Sequence, residues 1–582
     1  MTEHADIIEE ALEIRIPTSE RLVLNDTRRL TGPGLLWDYP GAVLDVLFRD
    51  FDANIVISAW HGQARRVLDA IGWAEQRITS RAYEGGVSLA ISAPMDQLYS
   101  ATFAAQTAWH FCAARLLKVD AGDFDTMIAD LTSLMTREAN PRLLDLIKRA
   151  EAHGVGFLVD DDVFSLGYGK ASSSWPVLDL PKPDAVNWSK LADIPVAMIT
   201  GTNGKTTTTR LACAMARAAG KIAGLTSTDM VSVGDNILDR GDYSGPGGAR
   251  LLLRDRRLEM AYLEVARGGI LRRGLPLTHA RAALVTNVAA DHLGQFGINT
   301  VEELATTKLA VHRALGADGI LVLNADDALV VAEAANLAVD IHWFSLDPEN
   351  TNIARARAHN RPCGWLDGTT LMLFDGVQSQ AILDVDEIPI TMKGAARYNV
   401  RNALGAACLS QAMGVGIDAM RTGLRHFQND PKDNPGRCNE FVVKGARVFV
   451  DFAHNPHSIE AVTSAMRAIP AKRRFVMLSH AGDRSDQDIV DVTASALAMN
   501  PDHLIASELS EHLRGRNEGD VTRLIIKVAR SRGLNDDQIL HASSPADGAA
   551  QILDRLQEGD LALLLVLSER DAIFEMLEKQ AM

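Results

Sequence analysis

The chain has 582 residues, of which 59 are Lys or Arg and 75 are Asp or Glu, giving a formal net charge of −16 and a pI near 5.5. That balance argues against a nucleic-acid partner, because a phosphate backbone is repelled unless one face carries a separate basic patch, and no long Lys/Arg run is present. Charged residues at 23% and apolar residues at 47% are ordinary globular values; they exclude wholesale disorder and collagen-like order.

At roughly 150 residues per domain the length predicts about four domains, with three and five also in range. Five scattered cysteines, Cys112, Cys213, Cys363, Cys408 and Cys438, form no CxxC pair. They point to a reducing compartment and away from disulfides or structural zinc. The first residues, MTEHADIIEEALEIRIP, are acidic and lack the order of a signal peptide. No apolar run approaches about 18 residues, and the stretch Leu561–Leu567 fits a buried strand. A soluble cytoplasmic protein with no membrane partner is expected.

In chain order, residues 1–170 read as a self-contained α+β unit. Short apolar strands are expected at Asn54–Ser58 and Val87–Ser92, and amphipathic helices at about 100–117 and 139–153. Three prolines and a serine run between Ala171 and Lys190 predict a linker over 171–192. From Ile194 the pattern becomes apolar strand, glycine turn, helix: strands at 195–200, 260–265, 282–288 and 319–324, and a helix at about 205–219. Such alternation predicts a parallel sheet covered on both faces. Short strands and turns at 340–393 read as a small β insertion. Strands at ARVFVDF, RRFVML, HLIAS and DLALLLV place a further α/β domain over 432–582, after a central domain at 193–431.

The segment ITGTNGKTTTTR, Ile199–Arg210, follows an apolar strand and opens a helix. Gly201 and Gly204 let the backbone approach an anion, the helix start offers free N–H groups, Lys205 supplies charge, and Thr206 supplies a hydroxyl for a metal. Thr202, Asn203 and Thr207 complete the loop. The pattern departs from GxxxxGK[ST] in having Ile199 where glycine is usual, and its plain alternative is a glycine turn before a polar helix. Neither TGPGLLW (31–37) nor SGPGGAR (244–250) completes GxGxxG, and both read as ordinary glycine turns.

The shortened GTNGKTT, with seven further segments in order, resembles the Mur ligase family from about residue 193 to the end. The segments are Glu264 in YLEVARGG, TNVAADHLG (286–294), Lys308, NADD (324–327), NVRNALGAA (399–407), PGR (435–437) and DFAHNP (451–456). Within that family the sequence is similar to the cyanophycin synthetases at ARGGILRRGL (266–275), GDYSGP (241–246), AGDRSDQDI (481–489) and LRGRNEGD (513–520). The N-terminal RLTGPGLLWDYPGAV (29–43) and DVFSLGYGK (162–170) resemble the same enzymes. Their ATP-grasp module has no counterpart between Lys170 and the next strand. The fold implied is α/β: a Mur-ligase-like central P-loop ATPase domain and a Rossmann-like C-terminal domain, preceded by the α+β unit.

The resemblance implies ATP and Mg2+ as cofactors and assigns roles, each of which has a plainer reading. Thr206, Glu264 and His292 become metal ligands, against a solvated edge Glu and a loop His. Lys308 shares a helix face with Leu304, Val311 and Leu315. Desolvation there disfavours an ammonium, and an uncharged amine can form a carbamate with CO2, as Mur ligases usually do at this place; the alternative is a snorkelling lysine. Asn399 and Asn402, three apart, become adenine contacts, although Tyr398 replaces the family's usual His; the alternative is a helix cap at Asn399. Arg437 would reach the γ-phosphate on domain closure, unless it is a surface arginine. Asp451, His454 and Asn455 end a strand where open α/β sheets meet ligands. Asp451 with His454 and His457 makes a poor zinc site because a proline intervenes.

The chemistry implied is transfer of the ATP γ-phosphoryl group to a carboxylate, then attack by an amine. Lys205, Lys308, Arg437 and His292 are expected to carry it. The partners expected are an amino acid or other amine and a carboxylate acceptor, with peptide and polymer acceptors and a homo-oligomer left open. Cyanophycin synthetase's Mur-like half joins arginine to aspartate side chains in this way. The rivals are a non-catalytic nucleotide-binding scaffold and a P-loop ATPase or kinase.

Overall fold

The computed structural model describes residues 12–581, so the acidic segment 1–11 lies outside the described residues. The chain divides into two compact units. Among the described residues, the first comprises 12–288, 292–343 and 409–415, and the second 289–291, 344–408 and 416–581.

The first unit opens with an antiparallel sheet of β1 (Leu22–Leu30), β2 (Gly41–Phe48), β3 (Ile78–Tyr83) and β4 (Gly86–Ser92), in the order β1-β2-β4-β3. The helices Ala53–Ala70 and Leu98–Leu117 belong to the same layer pair and bury Trp60 and Trp109 completely. Residues Asn54–Ser58, expected as a strand, are the first turns of the helix Ala53–Ala70. The β-branched run suggests a strand, but Asp52 caps the helix by accepting from the N–H of Asn54 at 2.7 Å. The buried positions Val56, Trp60, Ala64 and Val67 then recur at helical spacing. The strand and helices expected near Val87–Ser92, 100–117 and 139–153 are present as Gly86–Ser92, Leu98–Leu117 and Pro141–Ala152.

The segment 171–192 is folded, not a free tether. A small sheet forms from β5 (Phe157–Val159), β6 (Val163–Leu166) and β7 (Ser173–Pro176). Leu180 and Leu191 pack with Leu143, Leu146 and Ile147 of the preceding helix, joined by Trp175 and Trp188. Proline and serine frequency reports poor helix propensity here; it does not report the apolar residues spaced between them.

The rest of the first unit is built on a mainly parallel sheet. Its strands are β8 (Val196–Thr200), β9 (Ala223–Thr226), β10 (Met230–Val233), β11 (Asn236–Arg240), β12 (Met260–Glu264), β13 (Ala280–Val285), β14 (Leu315–Asn324) and β15 (Asp340–Ser345). Their order is β11-β10-β9-β12-β8-β13-β14-β15. β8 is buried along its whole length, as a central strand covered on both faces must be. It runs parallel to β12 and β13, so three adjacent strands end side by side. Of the two glycine turns expected to be ordinary, the one at Gly245 simply precedes the helix Pro246–Leu253, whereas the one at Gly32 makes a close contact. Gly32 brings the N-terminal sheet against this part of the unit: the Thr31 N–H donates to Arg273 O at 2.8 Å, and a Cβ on Gly32 would stand 2.2 Å from Leu275 O.

In the second unit, β16 (Cys363–Asp367), β17 (Thr370–Phe374) and β18 (Ser379–Asp384) form an antiparallel meander. A six-stranded sheet follows: β19 (Arg437–Val443), β20 (Ala446–Asp451), β21 (Arg474–Leu478), β22 (His503–Ser507), β23 (Ile539–Ala542) and β24 (Leu561–Leu565), in the order β19-β20-β24-β21-β22-β23. All neighbours are parallel except β19 and β20. Alternation along the strands separates two cores. Phe449 and Val476 face the helices Pro456–Ala468, Asp486–Leu497 and Asp520–Ser531, whereas Val448 and Phe475 face Pro545–Arg555 and Arg570–Ala581.

The glycine contacts give a paired prediction. Gly32→Ala drives a Cβ into a backbone carbonyl and should destabilise the protein by about 1–3 kcal/mol. Gly62→Ala, in an exposed turn of the helix Ala53–Ala70 with nothing within 4 Å of the added atom, should stabilise it by about 0.5–1 kcal/mol. Urea midpoints measure both, and equal shifts would contradict the Gly32 contact.

Candidate active site

The first unit places its phosphate loop where β8, β12 and β13 end. After Thr200 the chain turns through Gly201 at φ 145° and Gly204 at φ 85°, and Gly204 caps the helix Lys205–Ala218. Both angles favour glycine. At Gly201 space demands it as well: a Cβ would fall 1.9 Å from Thr286 Oγ1.

The loop is seated by the residues after β13. The Thr202 N–H donates to Asn287 O at 2.8 Å, and the Asn203 N–H donates to Asn287 Oδ1 at 3.0 Å. Thr286 Oγ1 and Asn287 Nδ2 both donate to Asn203 O, at 2.6 and 2.9 Å. Asn324 Nδ2 in turn holds Thr286 O at 2.9 Å, and Asp327 accepts from the Val288 N–H at 2.7 Å. Thr286, Asn287, Asn324 and Asp327 lie in motif segments of the sequence, but spacing alone gives them no individual role. The signal that finds them is their position: each follows or ends a strand, β13 or β14, on the loop side of the sheet.

Two lysines meet the loop. Lys205 Nζ donates to Gly201 O at 3.1 Å and Thr202 O at 2.9 Å, and Lys308 Nζ donates to the same Gly201 O at 2.8 Å. Lys308 is only 4% exposed, as its place on an apolar face predicts. The face is shorter than expected: the helix Val301–Leu309 ends one residue past Lys308, Val311 lies in a 3-10 turn and Leu315 begins β14. Beside the loop, Glu264 ends β12 opposite Ile199 and is 2% exposed. Its carboxylate accepts from Thr206 Oγ1 at 2.9 Å and from the Thr228 N–H at 3.4 Å. Thr207 is buried in the first turn of the helix. A carboxylate and a hydroxyl in contact, both buried beside a phosphate-type loop, are donors that suit a hard divalent cation such as Mg2+. His292 lies in the loop after β13 with left-handed backbone, φ 51°, and its carbonyl accepts from the Arg267 guanidinium.

The remaining predicted residues belong to the second unit. Asn399 is the third residue of the helix Arg397–Ala412, so it is not that helix's cap. Its Nδ2 donates to Ile390 O at 2.9 Å, and Asn402 Nδ2 donates to Asn399 Oδ1 at 3.1 Å. Asn399 therefore holds backbone and neighbour with its amide, and Asn402 is the outer member of the pair. Arg437 begins β19 opposite Asp451 of β20, with its guanidinium 4.9 Å from the centre of the Phe452 ring. Burial pushes the Asp451 carboxyl up to about 6; the Arg437 charge and the Ala453 N–H donated to it oppose the shift without cancelling it. His454 Nδ1 lies 3.0 Å from Phe452 O. Asn455 caps the helix Pro456–Ala468 through a reciprocal pair with Ser458, at 2.9 and 3.2 Å.

Comparison with known proteins bears on both units. Residues 199–410 match the Mur ligase middle domain, and residues 436–565 match the Mur ligase glutamate ligase domain. The cyanophycin synthetase of Geminocystis herdmanii is 37% identical over 406 residues, 69% of this chain and 45% of that protein. The UDP-N-acetylmuramate–L-alanine ligase of Xanthomonas axonopodis pv. citri is 29% identical over 372 residues, 63% of this chain and 70% of that protein. The chain thus spans less than half the length of the cyanophycin synthetases it matches. In fold it resembles E. coli FolC, solved in complex with DHPP and ADP, with a TM-score of 0.50 at 18% identity, over 67% of this chain and 89% of that one.

The raised Asp451 carboxyl makes a measurable difference to stability. The native protein holds this proton more tightly than the unfolded chain, so the contribution of Asp451 is most favourable below pH 3.8 and declines as pH rises through about 6. Asp451→Asn should remove that part of the decline. Urea midpoints of the nucleotide-free protein between pH 4 and 7 test this, and parallel wild-type and variant curves would contradict it.

Proposed function

Since the chain belongs to the Mur ligase family, carrying its middle and its glutamate ligase domain, we propose that it is an ATP-dependent ligase that joins a carboxylate to an amine, releasing ADP and phosphate. The observation that carries this reading is the arrangement at Gly201. Lys205 and Lys308 both reach one loop carbonyl while the Thr206–Glu264 pair stands beside the loop. A glycine loop at a helix start, with a lysine in its first turn, is built for phosphate.

In this reading Gly201, Thr202, Asn203, Gly204 and Thr207 wrap the phosphates with backbone and hydroxyl donors, and Lys205 supplies charge to the phosphoryl group that moves. The γ-phosphorus–oxygen bond to ADP breaks as the substrate carboxylate oxygen bonds to phosphorus. The amine then attacks the acyl carbon, phosphate departs with the acyl oxygen's electron pair, and the nitrogen gives up its proton to leave an amide. Thr206, Glu264 and His292 are the residues that would hold Mg2+, which when bound neutralises phosphate charge. Lys308 would be present as its carbamate, formed from the neutral amine and CO2 with loss of a proton. Phosphoryl transfer asks for alignment and charge more than for covalent help, and this set provides both.

In the second unit, Arg437 and Asp451 are assigned to the nucleotide, Asn402 with Asn399 behind it to the adenine, and His454 and Asn455 to the substrate side. The substrates proposed are an amino acid or similar amine and a carboxylate acceptor, a peptide or polymer acceptor included, as in a ligase of the cyanophycin-synthetase type. Among the described residues no helix is long and apolar enough to cross a membrane; the setting proposed is cytoplasmic.

A screen of amino acids crossed with carboxylate acceptors, read by ADP release and by mass spectrometry of the product, tests the reading. ADP should appear only when both partners are present. Nucleotide binding without turnover in every pair would favour a non-catalytic scaffold, and ADP release without either partner would favour a simple ATPase. Lys205→Ala should lower turnover by at least roughly a hundredfold.

A further inference from the structure

The loop that carries His292 is strained, and the N-terminal sheet supplies much of what holds it. His292 and Phe296 are both in left-handed backbone, at φ 51° and 55°, followed by Gly297 at 64°. Non-glycine residues adopt that conformation at a cost of about 1–2 kcal/mol each, so neighbours must fix it. Arg267 does so from within the same part of the unit, donating to His292 O and, at 2.7 Å, to Gln295 Oε1.

The other fixings come from β1 and β3. Arg81 on β3 donates through Nη2 to Phe296 O at 3.1 Å and to Gly297 O at 2.9 Å. Tyr83, two residues on, covers Gly297 so closely that a Cβ there would lie 2.4 Å from its ring. Arg28 on β1, itself held by Asp26 and Asp45 at 2.7 and 2.6 Å, stacks over the Phe296 ring at 5.0 Å. Arg81 also reaches the next element. Its Nη1 pairs with Glu303 Oε1 at 3.2 Å, while Glu303 Oε2 accepts from the N–H groups of Asn299 and Thr300 at 2.7 and 3.2 Å. Those bonds start the helix Val301–Leu309, whose Lys308 touches Gly201.

One guanidinium therefore ties the end of the His292 loop to the start of the Lys308 helix. We infer that Arg81 is a positioning residue through which the N-terminal sheet sets the metal-facing loop, so that this sheet is a working part of the nucleotide site. The inference rests on the assignment of His292 and Lys308 to the metal side of that site, and it adds a residue and a module with no sequence motif for nucleotide binding. Planar, two-handed donation to two carbonyls and a carboxylate suits arginine and not lysine. Residues one step behind a metal ligand typically affect metal affinity about 10- to 100-fold.

The experiment measures the Mg2+ dependence of ADP binding by calorimetry, without turnover, on the full chain. The variants are Arg81→Ala, Arg81→Lys, Glu264→Gln and Asp38→Asn. Asp38 makes a separate, exposed contact of the N-terminal module with Arg313 at 2.8 Å, so Asp38→Asn controls for docking in general. Both Arg81 variants should raise the Mg2+ concentration for half-maximal binding about tenfold, with binding restored at saturating Mg2+. Hydrogen exchange should speed up in residues 292–300, and Asp38→Asn should match the wild type in both measurements. An Arg81→Lys protein that folds and binds with wild-type Mg2+ dependence would overturn the inference, as would an equal shift in Asp38→Asn; both outcomes decide the matter even if Arg81→Ala fails to fold. If Glu264→Gln and a further variant, His292→Ala, also leave the Mg2+ dependence unchanged, the metal assignment itself fails. If His292→Ala shifts it and the Arg81 variants do not, the assignment stands and the role of Arg81 does not.

Discussion

The carbonyl of Gly201 is the point on which the first unit turns. It accepts from Lys205, four residues on in the chain, and from Lys308, more than a hundred residues on. A peptide oxygen can serve both only because Gly201 takes a backbone angle that leaves no room for a side chain under Thr286. Replace the glycine and the loop must lift away from β13, losing the Asn287 and Thr286 bonds that define its shape. The parallel sheet exists, in this sense, to deliver three strand ends to one place: a glycine turn from β8, a carboxylate from β12 and an asparagine latch from β13.

Much of this is legible in the sequence because it is local. The strand before Gly201, the helix after Lys205 and the carboxylate ending an apolar strand are each contained within a dozen residues, and hydrophobic periodicity finds them. The buried state of Lys308 is also legible, from a helical face that holds for one turn before the chain becomes a 3-10 turn. Legibility ends where partners are distant. Asn399 suggests a cap or an adenine contact, and no local signal shows that its amide holds Ile390 O, a carbonyl in a segment with no periodic signal. Residues 54–58 mislead because β-branched composition and an Asp cap give opposing local signals, and burial of Trp60 decides between them. The stretch 171–192 misleads because prolines mark where helices cannot continue, not where packing ceases.

The N-terminal sheet carries no motif that points to nucleotide chemistry, yet its arginines are distributed with purpose. Arg28 is sunk between two aspartates, and Arg81 spans a loop and a helix start. Arginine is the side chain for such tasks because its donors are planar and permanently charged, so a single residue can satisfy several orphaned carbonyls at once. Contacts of this kind leave no trace in spacing: nothing about RAY at 81–83 reveals that carbonyls from residues 296 and 297 lie beside it.

The five cysteines are free thiols with essentially no surface, and burial pushes Cys112 to about 12 and Cys363 to about 11, with Cys408 and Cys438 raised as well. A thiol in that condition is invisible to alkylating reagents until its surroundings part. Cys112 sits in the core under the N-terminal sheet, Cys213 in the helix behind the phosphate loop, and Cys438 in the core of the six-stranded sheet. The chain thus carries native timers in three separate places, and the order in which they become reactive is the order in which the molecule breathes.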